Sequence, residues 1–313
     1  MPTTWGAGVK PQRIVVPSLA ALVALLLVFH GVVPNTPGHV GSLLETYLPW
    51  LGLAVPVLLA LALVRRAVPA LLALVLPATA WLALFGGYLL PDDRPEHDLT
   101  VVQHNVNDEN PDPTGTARAL LATHADLIAL EEVTPPAVES YAATLAPRYP
   151  HHVVVGTVGL WSRYPLTDAR PVDIRPHDLG PDWNRGLRAT AETPQGDIAV
   201  YVAHLPSVRL GPTGLRSARR DESATLLGAA IGAEPLPRVI LLGDLNSTVD
   251  DRGLAPVTAR MTVPDFGFAF SWPAALPVAR IDQVFVRSMT VTALWTVPAT
   301  TSDHVPVAAQ IRI

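Results

Sequence analysis

Two polar residues that can hold a metal ion or a water molecule follow a short apolar run. Residues 239–242 predict a buried strand, which ends at Gly243, where the backbone can turn or be approached closely. Asp244 and Asn246 come next, two positions apart. If the extended backbone continues to Asn246, the two side chains point the same way and place a carboxylate beside an amide. The alternative is an Asx turn after the strand, which this motif on its own favours.

More polar residues lie at the predicted ends of other strands. Any one of them has a structural explanation, such as a solvated strand end, a buried histidine with satisfied hydrogen bonds or a turn cap. Their recurrence at six places in one small domain is a less probable accident and favours one shared site. The candidates are Asn105, Glu131, Glu132, His204, Asp244, Asn246, Asp282, Ser302, Asp303 and His304.

These residue types form an oxygen-rich set of ligands. The chain has no cysteine, which excludes thiolate zinc sites, cysteine nucleophiles and disulfides. Lys10 is the only lysine, so a Walker-type phosphate loop and a Schiff-base lysine are excluded from the later residues. Carboxylate and amide oxygens suit a hard cation, and we expect Mg²⁺, with Mn²⁺ as an alternative. The reaction that fits is hydrolysis of a phosphoester or phosphoanhydride without a covalent enzyme intermediate.

The elements that would position these residues are predicted from apolar periodicity. Strands that first alternate with helices and later predominate indicate a layered α/β domain with two packed sheets. Thr114 is the expected N-cap of the first helix of this domain. The predicted strands are 99–106, 126–133, 152–155, 160–163, 188–192, 198–204, 239–242, 280–286, 290–297 and 305–313, and the predicted helices are 114–124 and 215–231.

The first ninety residues have a different character. They contain three apolar runs, 14–33, 48–64 and 68–90, each close to the ~20 residues that cross a bilayer. A cleaved signal peptide followed by a hydrophobic soluble domain is the alternative, and three consecutive runs argue against it. The sequence therefore predicts a membrane domain with three transmembrane helices (1–90), a polar linker (91–98) and a catalytic domain (99–313).

Charge predicts the orientation and narrows the partners. Lys10 and Arg13 precede the first run, Arg65 and Arg66 separate the second from the third, and residues 34–42 have no Lys or Arg. The positive-inside rule then places the catalytic domain outside the cytoplasm. Four of the 22 basic and one of the 27 acidic residues lie in residues 1–90, which leaves residues 91–313 with a formal net charge of −8. That charge argues against a stable nucleic-acid partner.

The order of several short motifs resembles the endonuclease/exonuclease/phosphatase superfamily. The resemblance covers residues 99–313, and it implies a four-layer α/β/β/α sandwich with the site at one edge of the sheets. The motifs are Gln-His-Asn-Val at 103–106, Leu-Glu-Glu-Val at 130–133, Trp-Ser-Arg-Tyr-Pro at 161–165, Ala-His-Leu at 203–205, Gly-Asp-Leu-Asn at 243–246, Arg-Ile-Asp at 280–282 and Ser-Asp-His at 302–304.

This resemblance implies a metal site and a water-activating residue. Glu132 matches the metal-binding glutamate of the family, Asn105 the asparagine beside it, and Asp303 a second carboxylate near the metal. Asp244 matches the residue that orients or deprotonates the attacking water, and Asn246 its partner in the transition state.

It also implies contacts to the substrate phosphate. His304 matches the phosphate-contacting histidine and Asp282 the aspartate that orients it. His204 matches a histidine that in some members assists the leaving group, and Arg163 would touch the phosphate. The sequence departs from the family at Glu131, where Gln is usual, and this residue is expected to add negative charge beside the metal ligand.

Three spans ahead of such a domain resemble a narrower, membrane-anchored group of actinobacterial type that includes a teicoplanin-resistance protein. The expected function is a membrane-anchored, metal-dependent phosphohydrolase with an extracytoplasmic catalytic domain, which acts on a lipid-linked or small phosphoester or pyrophosphate and contributes to glycopeptide resistance. An anchored nuclease that cleaves DNA or RNA is the first alternative. A non-catalytic domain that binds a glycopeptide or a partner protein is the second.

Overall fold

Helices form most of residues 12–89 in the computed structural model, which describes residues 12–89 and 96–313. Lys10 and most of the predicted linker lie outside the described residues. The N-terminal elements are α1 (Gln12–Phe29), α2 (Val40–Thr46), α3 (Ala54–Val64), α4 (Val68–Ala73) and α5 (Val75–Phe85), with 3-10 turns at His30–Val32, Leu48–Leu53 and Gly86–Leu89.

Two of the predicted spans are helical without a sharp bend. The segments Ile14–Val32 and Val68–Leu89 are long and apolar enough to cross a membrane. The middle segment is broken instead, because α2 meets Leu48–Val64 at an angle of 70°. Pro49 lies at the start of the 3-10 turn, where it provides no backbone donor. Residues 12–89 therefore contain two candidate spans, or three if the bent pair counts as one.

Exposure distinguishes these helices from the rest of the chain. Among the described residues, all but three of the large exposed hydrophobic side chains lie between Ile14 and Leu89, the exceptions being Leu210, Leu226 and Leu276. Their exposure in water would be unfavourable at roughly 25 cal/mol per Å² of apolar surface. A hydrocarbon environment would remove that cost.

The second part of the chain, residues 99–313, contains thirteen strands and four α-helices within the described residues. The strands are β1 (Leu99–Asn105), β2 (Leu127–Glu131), β3 (His151–Val155), β4 (Val158–Ser162), β5 (Leu166–Pro171), β6 (Gly186–Thr193), β7 (Gly196–Ala203), β8 (Arg209–Gly211), β9 (Gly214–Arg216), β10 (Val239–Asp244), β11 (Asp282–Arg287), β12 (Thr290–Thr296) and β13 (Val307–Arg312). The helices are α6 (Pro113–Leu121), α7 (Ala137–Leu145), α8 (Ala218–Gly232) and α9 (Ala255–Thr258).

Two sheets pack face to face in this domain. One has the strand order β12-β13-β1-β2-β4-β3 and the other β11-β10-β7-β6-β5. Alternate apolar residues of both sheets form the central core, which includes Val101, Ile240 and Val284. Helices α6 and α7 cover the outer face of the first sheet, and α8 and α9 cover that of the second. The arrangement is the predicted α/β sandwich with layers of helices, sheet, sheet and helices.

Some element boundaries differ from the prediction. The N-cap of α6 is Asp112, whose carboxylate accepts a hydrogen bond from the amide of Gly115 at 2.8 Å, and not Thr114. Helix α8 begins only at Ala218, because the preceding residues pair as the β8–β9 hairpin. Helix α7 and strand β5 were not predicted, since their polar and apolar residues follow no clear period.

The strand pairing brings the polar strand ends together. Strand β1 pairs in parallel with β2, with Asn105 opposite Glu131. Strand β10 pairs with β11, with Asp244 opposite Asp282. Gly243 has a φ of 157°, and a Cβ atom there would overlap the carbonyl oxygen of Ala203 on the neighbouring strand. The close approach predicted at this glycine is therefore present, and the strand ends share one edge of the sandwich.

Candidate active site

The carboxylate of Asp244 is at the centre of the site. It is 1% exposed and accepts hydrogen bonds from Nδ2 of Asn105 at 3.0 Å and from the backbone amide of Asn246 at 2.9 Å. Burial raises the pKa of Asp244 to about 7, His304 opposes this rise and Asp282 adds to it. A carboxylate whose pKa lies near neutral pH is well matched to accept a proton from water.

Of the two conformations that the sequence left open for Asp244 and Asn246, the shared extended backbone is not the one observed. The strand ends at Asp244, and Asn246 has a φ of 46°, in the left-handed region. The backbone amide of Asn246 caps the Asp244 carboxylate in an Asx turn, the alternative that the sequence left open. The side-chain amide of Asn246 donates instead to the carbonyl oxygen of Leu205 at 2.9 Å.

His304 and Asp282 form a buried ion pair beside Asp244. Nδ1 of His304 lies 2.8 Å from Oδ2 of Asp282, and its Nε2 lies 3.8 Å from Oδ2 of Asp244. Burial alone would lower the pKa of His304, but the carboxylates of Asp282 and Asp244 raise it to about 10. Burial would likewise raise the pKa of Asp282, and the His304 cation keeps it below its usual range. The site therefore presents a protonated imidazole at neutral pH.

The surroundings of Glu131 oppose the negative charge that the sequence led us to expect. It is fully buried, and burial together with Asp282 and Asp244 raises its pKa well above the usual range. The amide of Gln103 donates to Glu131 at 2.6 Å and to Asp282 at 2.9 Å, which connects the two carboxyl groups. These surroundings favour the protonated, neutral form of Glu131. In that form its charge is that of the glutamine usual in the family.

His204 is buried and uncharged. Burial lowers its pKa well below 6.5, and the positive charges of Arg185 and His304 lower it further. Its Nε2 lies 3.6 Å from Asp244 and 3.7 Å from Glu132. The other neighbour, Arg185, was missed from the sequence: its Nη1 lies 3.1 Å and 3.3 Å from the two ring nitrogens of His204 and can donate to whichever lacks a proton.

The three predicted metal ligands lie at the same edge of the sandwich but are not in one tight cluster. Glu132 accepts from the amide of Asp108 at 3.2 Å and is near His204 through its other oxygen. Asn107, also missed from the sequence, connects the other two residues. Its backbone amide donates to Asn105 at 3.0 Å, and its side chain donates to Asp303 at 3.1 Å.

The donor chemistry of the site fits a hard divalent cation. Potential ligand atoms of Asp244, Asp282 and His304 all lie within 4.8 Å of one another. His304 is protonated and bonded to Asp282, so the carboxylates, with Glu132 beside them, are the groups that would hold the ion. Their burial raises the pKa of Asp244, and a bound cation would relieve that cost. When bound, the ion supplies charge stabilisation at a phosphoryl oxygen.

Arg163 is the one predicted site residue that lies elsewhere. Its guanidinium pairs with Asp126 at 2.8 Å. It directly follows Ser162, which pairs with Leu127 at the start of β2, whereas Glu131 at the end of β2 pairs with Val158. At ~3.3 Å per residue, β2 separates Arg163 from the site by more than ten ångströms. The predicted phosphate contact of Arg163 is therefore wrong, because the antiparallel β2–β4 pairing directs it to the opposite edge.

Comparison with known proteins agrees with this fold. Residues 102–304 match the model of the Endonuclease/Exonuclease/phosphatase family. The search of curated proteins finds no match. Sphingomyelinase C from Streptomyces griseocarneus is a similar structure, with a TM-score of 0.52 and 21% identity over 68% of this chain and 98% of that one.

Two further structures share the fold at lower identity. Beta toxin from Staphylococcus aureus, a mutant with bound magnesium ions, has a TM-score of 0.54 and 17% identity over 68% of this chain and 99% of that one. Humanized TDP2 of D. rerio has a TM-score of 0.55 and 18% identity over 69% and 99% of the two chains. Enzymes of this family depend on a divalent metal. The family model covers most of the sandwich, from residue 102 to residue 304. The chain therefore belongs to the endonuclease/exonuclease/phosphatase family and is a hydrolase of phosphoester bonds.

Proposed function

We propose that this chain is a membrane-anchored phosphohydrolase that uses Mg²⁺, or Mn²⁺, to hydrolyse a lipid-linked or small phosphoester or pyrophosphate outside the cytoplasm. One observation supports the lipid-linked substrate above the others. An apolar cavity of about 320 Å³ lies where the candidate spans meet the catalytic domain. Its position suits the hydrocarbon chain of a substrate whose phosphate reaches the site.

The cavity is built jointly by both parts of the chain. Trp50 and Trp81 come from the membrane helices, and Phe268 and Phe270 come from the loop before β11. The rings of Trp50 and Phe270 stack with centroids 5.5 Å apart. Nε1 of Trp50 also donates to the carbonyl oxygen of Val278 at 2.7 Å. The remaining lining is Pro49, Gly52 and Leu53, so the cavity favours a hydrocarbon over a polar ligand.

The loop of residues 271–279 lies between this cavity and the active site. Ser271 directly follows Phe270, and its hydroxyl accepts a hydrogen bond from the amide of Asp282 at 3.4 Å. Farther along the loop, the amide of Ala274 donates to the carbonyl oxygen of Asp303 at 2.7 Å. One side of the loop thus contacts the site and the other side contacts Trp50. A phosphate at His304 with a chain directed toward Trp50 would cross only this loop.

The direction of the helices supports an extracytoplasmic catalytic domain. Leu27, Leu48 and Phe85 cluster at the end of the helices near the catalytic domain, with Phe268 packed against them. Val16, Ala62 and Ala70 cluster at the other end. Arg65 and Arg66 lie at this far end, which by the positive-inside rule faces the cytoplasm. Leu48–Val64 measures about 28 Å along its axis, close to the ~30 Å hydrocarbon core.

The polarity of α2 is consistent with the same orientation. Glu45 of α2 is buried and pairs with Arg252 of the catalytic domain at 2.7 Å. Its carboxylate also accepts from the backbone amide of Arg252 at 3.0 Å. A buried charge held in this way belongs at the domain junction and not in hydrocarbon. The bent pair would then cross the membrane through Leu48–Val64 alone, with α2 on the outer surface.

A direct comparison of substrates tests the proposal against the nuclease alternative. Full-length protein in a neutral detergent with Mg²⁺ is given a prenyl diphosphate or a supercoiled plasmid. We expect phosphate release from the lipid, with no nicking of the plasmid. Asp244→Asn should reduce the release at least ~100-fold because it removes the proposed acceptor of the water proton. Arg312→Gln, at the opposite edge of the sandwich, is the matched control.

The apolar cavity predicts that the KM depends on the length of the hydrocarbon chain of the substrate. Phe270→Ala should raise the KM of a long prenyl diphosphate more than that of a five-carbon one, since only the long chain reaches the cavity. Plasmid nicking by the wild type, or equal effects of Phe270→Ala on both chain lengths, would contradict the lipid-linked substrate. A chain that carries out neither reaction, while binding a glycopeptide or a partner protein, would favour the non-catalytic alternative.

Resistance to glycopeptides belongs to the same proposal. The arrangement of spans ahead of this domain resembles the teicoplanin-resistance protein VanJ. Expression in a susceptible host should raise the inhibitory concentration of teicoplanin, and the Asp244→Asn variant should not. Two C-terminal reporters test the orientation, one active only outside the cytoplasm and one active only inside it. We expect activity of the first, and activity of the second instead would overturn the extracytoplasmic orientation.

A further inference from the structure

A second cavity, lined by arginines, adjoins the active site on the side of His204. Its volume is about 810 Å³, and Arg185, Arg209, Arg216, Arg219, Trp183 and His39 are among its lining residues. We call it the arginine cavity. Arg185 belongs to both places, since it contacts the ring of His204 and also lies over Trp183, with 5.4 Å between its Cζ and the ring centroid.

The positive charge of this cavity is only partly balanced. Asp178 is the one carboxylate among the described lining residues, and it is paired with Arg219 at 2.8 Å. Arg209 and Arg216 stand directly opposite each other in the β8–β9 hairpin, and both are exposed. Like charges at opposed positions of a hairpin destabilise it. Neither guanidinium has a carboxylate partner among the residues that the structure describes.

An anionic ligand explains this arrangement. Guanidinium groups bind phosphoryl oxygens with paired N–H donors, and each such charge-assisted bond is stronger than a neutral one. Resting on the function proposed above, we infer that the arginine cavity holds the second phosphoryl group of a diphosphate substrate. The preferred substrate is therefore a diphosphate and not a monophosphate.

The reaction balances without a further reagent. The oxygen of water bonds to the phosphorus at the active site, and one water proton passes to the Asp244 carboxylate. The bond from that phosphorus to the bridging oxygen breaks, and this oxygen leaves with the electron pair on the phosphoryl group in the arginine cavity. Arg185, between His204 and the cavity, is positioned to stabilise the charge on the leaving oxygen. Two monophosphates result.

A paired substrate test measures the role of the hairpin arginines. The rates for farnesyl diphosphate and farnesyl monophosphate are compared with the full chain in neutral detergent with Mg²⁺. We expect kcat/KM to favour the diphosphate in the wild type and in Arg312→Gln. In the double variant Arg209→Gln/Arg216→Gln the diphosphate-to-monophosphate ratio should fall at least tenfold. An unchanged ratio would overturn the inference.

Binding without turnover gives an independent readout. Calorimetry of the metal-free protein should show inorganic pyrophosphate binding more tightly than orthophosphate, and the double variant should weaken pyrophosphate at least tenfold. If the wild type binds pyrophosphate in this way but hydrolyses neither farnesyl substrate, the proposed function fails and the anion subsite stands. If it hydrolyses both substrates equally and binds pyrophosphate no better than orthophosphate, the subsite fails and the proposed function stands.

An anionic lipid headgroup offers the same chemistry, because Gly38 and His39 in the cavity wall follow the first candidate span. Repeating the assay in bilayers of phosphatidylcholine with and without phosphatidylglycerol separates the two sources. We expect the wild-type diphosphate-to-monophosphate ratio to persist in pure phosphatidylcholine. A ratio that depends on phosphatidylglycerol, and loses that dependence in the double variant, would assign the cavity to the headgroup and overturn the inference.

Discussion

Replacing Asp282 by Asn tests the electrostatics of the site most directly. Asp282 is fully buried, and its Oδ2 lies 2.8 Å from Nδ1 of His304. Asparagine has nearly the same shape but lacks the negative charge. The substitution therefore removes the largest influence that raises the pKa of His304. Burial, which lowers this pKa, and the charges of Asp244 and Asp303, which raise it, then remain.

We expect Asp282→Asn to change the pKa of His304 by a large amount. Raising the pKa of His304 from 6.5 to about 10 corresponds to about 5 kcal/mol of preference for the protonated ring, at 1.36 kcal/mol for each tenfold change. Without the Asp282 charge we expect the pKa of His304 to fall to about 7 or lower. At pH 8 the protonated fraction then drops from about 99% to about 10% or less. If the protonated ring stabilises charge on the phosphate, activity at pH 8 falls at least about tenfold, and less at pH 6.

The same pair predicts how stability depends on pH. The folded-state pKa of His304 is raised, so its contribution is fully present below pH 6.5 and is lost as the pH rises through about 10. The folded-state pKa of Asp282 is lowered, so its contribution is present above pH 3.8 and is lost in more acidic solution. The stability difference between the wild type and Asp282→Asn should therefore be greatest between about pH 4 and pH 6.5, and it should decline as the pH rises through about 10.

Nitrogen-15 NMR of labelled histidines in the metal-free protein measures this pKa directly. His304→Gln assigns the resonance, and pH–rate profiles with Mg²⁺ supply the functional comparison. A wild-type ring that titrates near pH 6.5, or one whose pKa is the same in Asp282→Asn, would refute the reasoning.

The remaining predictions concern other charges. Glu131→Gln should raise the free energy of unfolding at pH 7, and this gain should vanish toward pH 4.5, since only the wild type must keep a proton on a buried acid above that pH; equal stability at both values would argue against a neutral Glu131. Arg163→Gln should cost at most ~1 kcal/mol of stability, as for other partly exposed pairs, and change kcat/KM less than twofold. Arg252→Met should cost about 3 kcal/mol by leaving Glu45 buried with only His30 as a partner. Glu45→Gln/Arg252→Met should recover part of this loss, measured by thermal unfolding in detergent. A chelator should abolish phosphate release, and Mg²⁺ or Mn²⁺ should restore it; activity that survives chelation would contradict a metal-dependent site.

The strands on which the site residues lie could be predicted because the sequence pattern of a strand is local. The apolar run at 239–242, before Asp244, is short and continuous, as expected of a strand buried on both faces. The parallel pairing of β1 with β2 then brings Asn105 and Glu131 to one edge. The residue types at those strand ends indicated an oxygen-rich site before any pairing was known.

Residues in irregular segments were not predictable in the same way. Arg185 lies in a stretch without helical or strand periodicity, and its contact with His204 spans 19 positions. Asn246 could follow an extended strand or an Asx turn, and the capping of Asp244 selected the turn. Arg163 was placed with the site by its motif, yet strand register put it at the opposite edge.

The sequence by itself determined which segments are apolar helices, which are buried strands, and which side chains can hold a cation. These properties follow from composition and from periods of two to four residues. Only the tertiary structure decided the charge of Glu131, His204 and His304. Protonation depends on desolvation and on charges a few ångströms away. Some of those neighbours, such as Asp244 for Glu131, come from strands more than one hundred residues away in the chain.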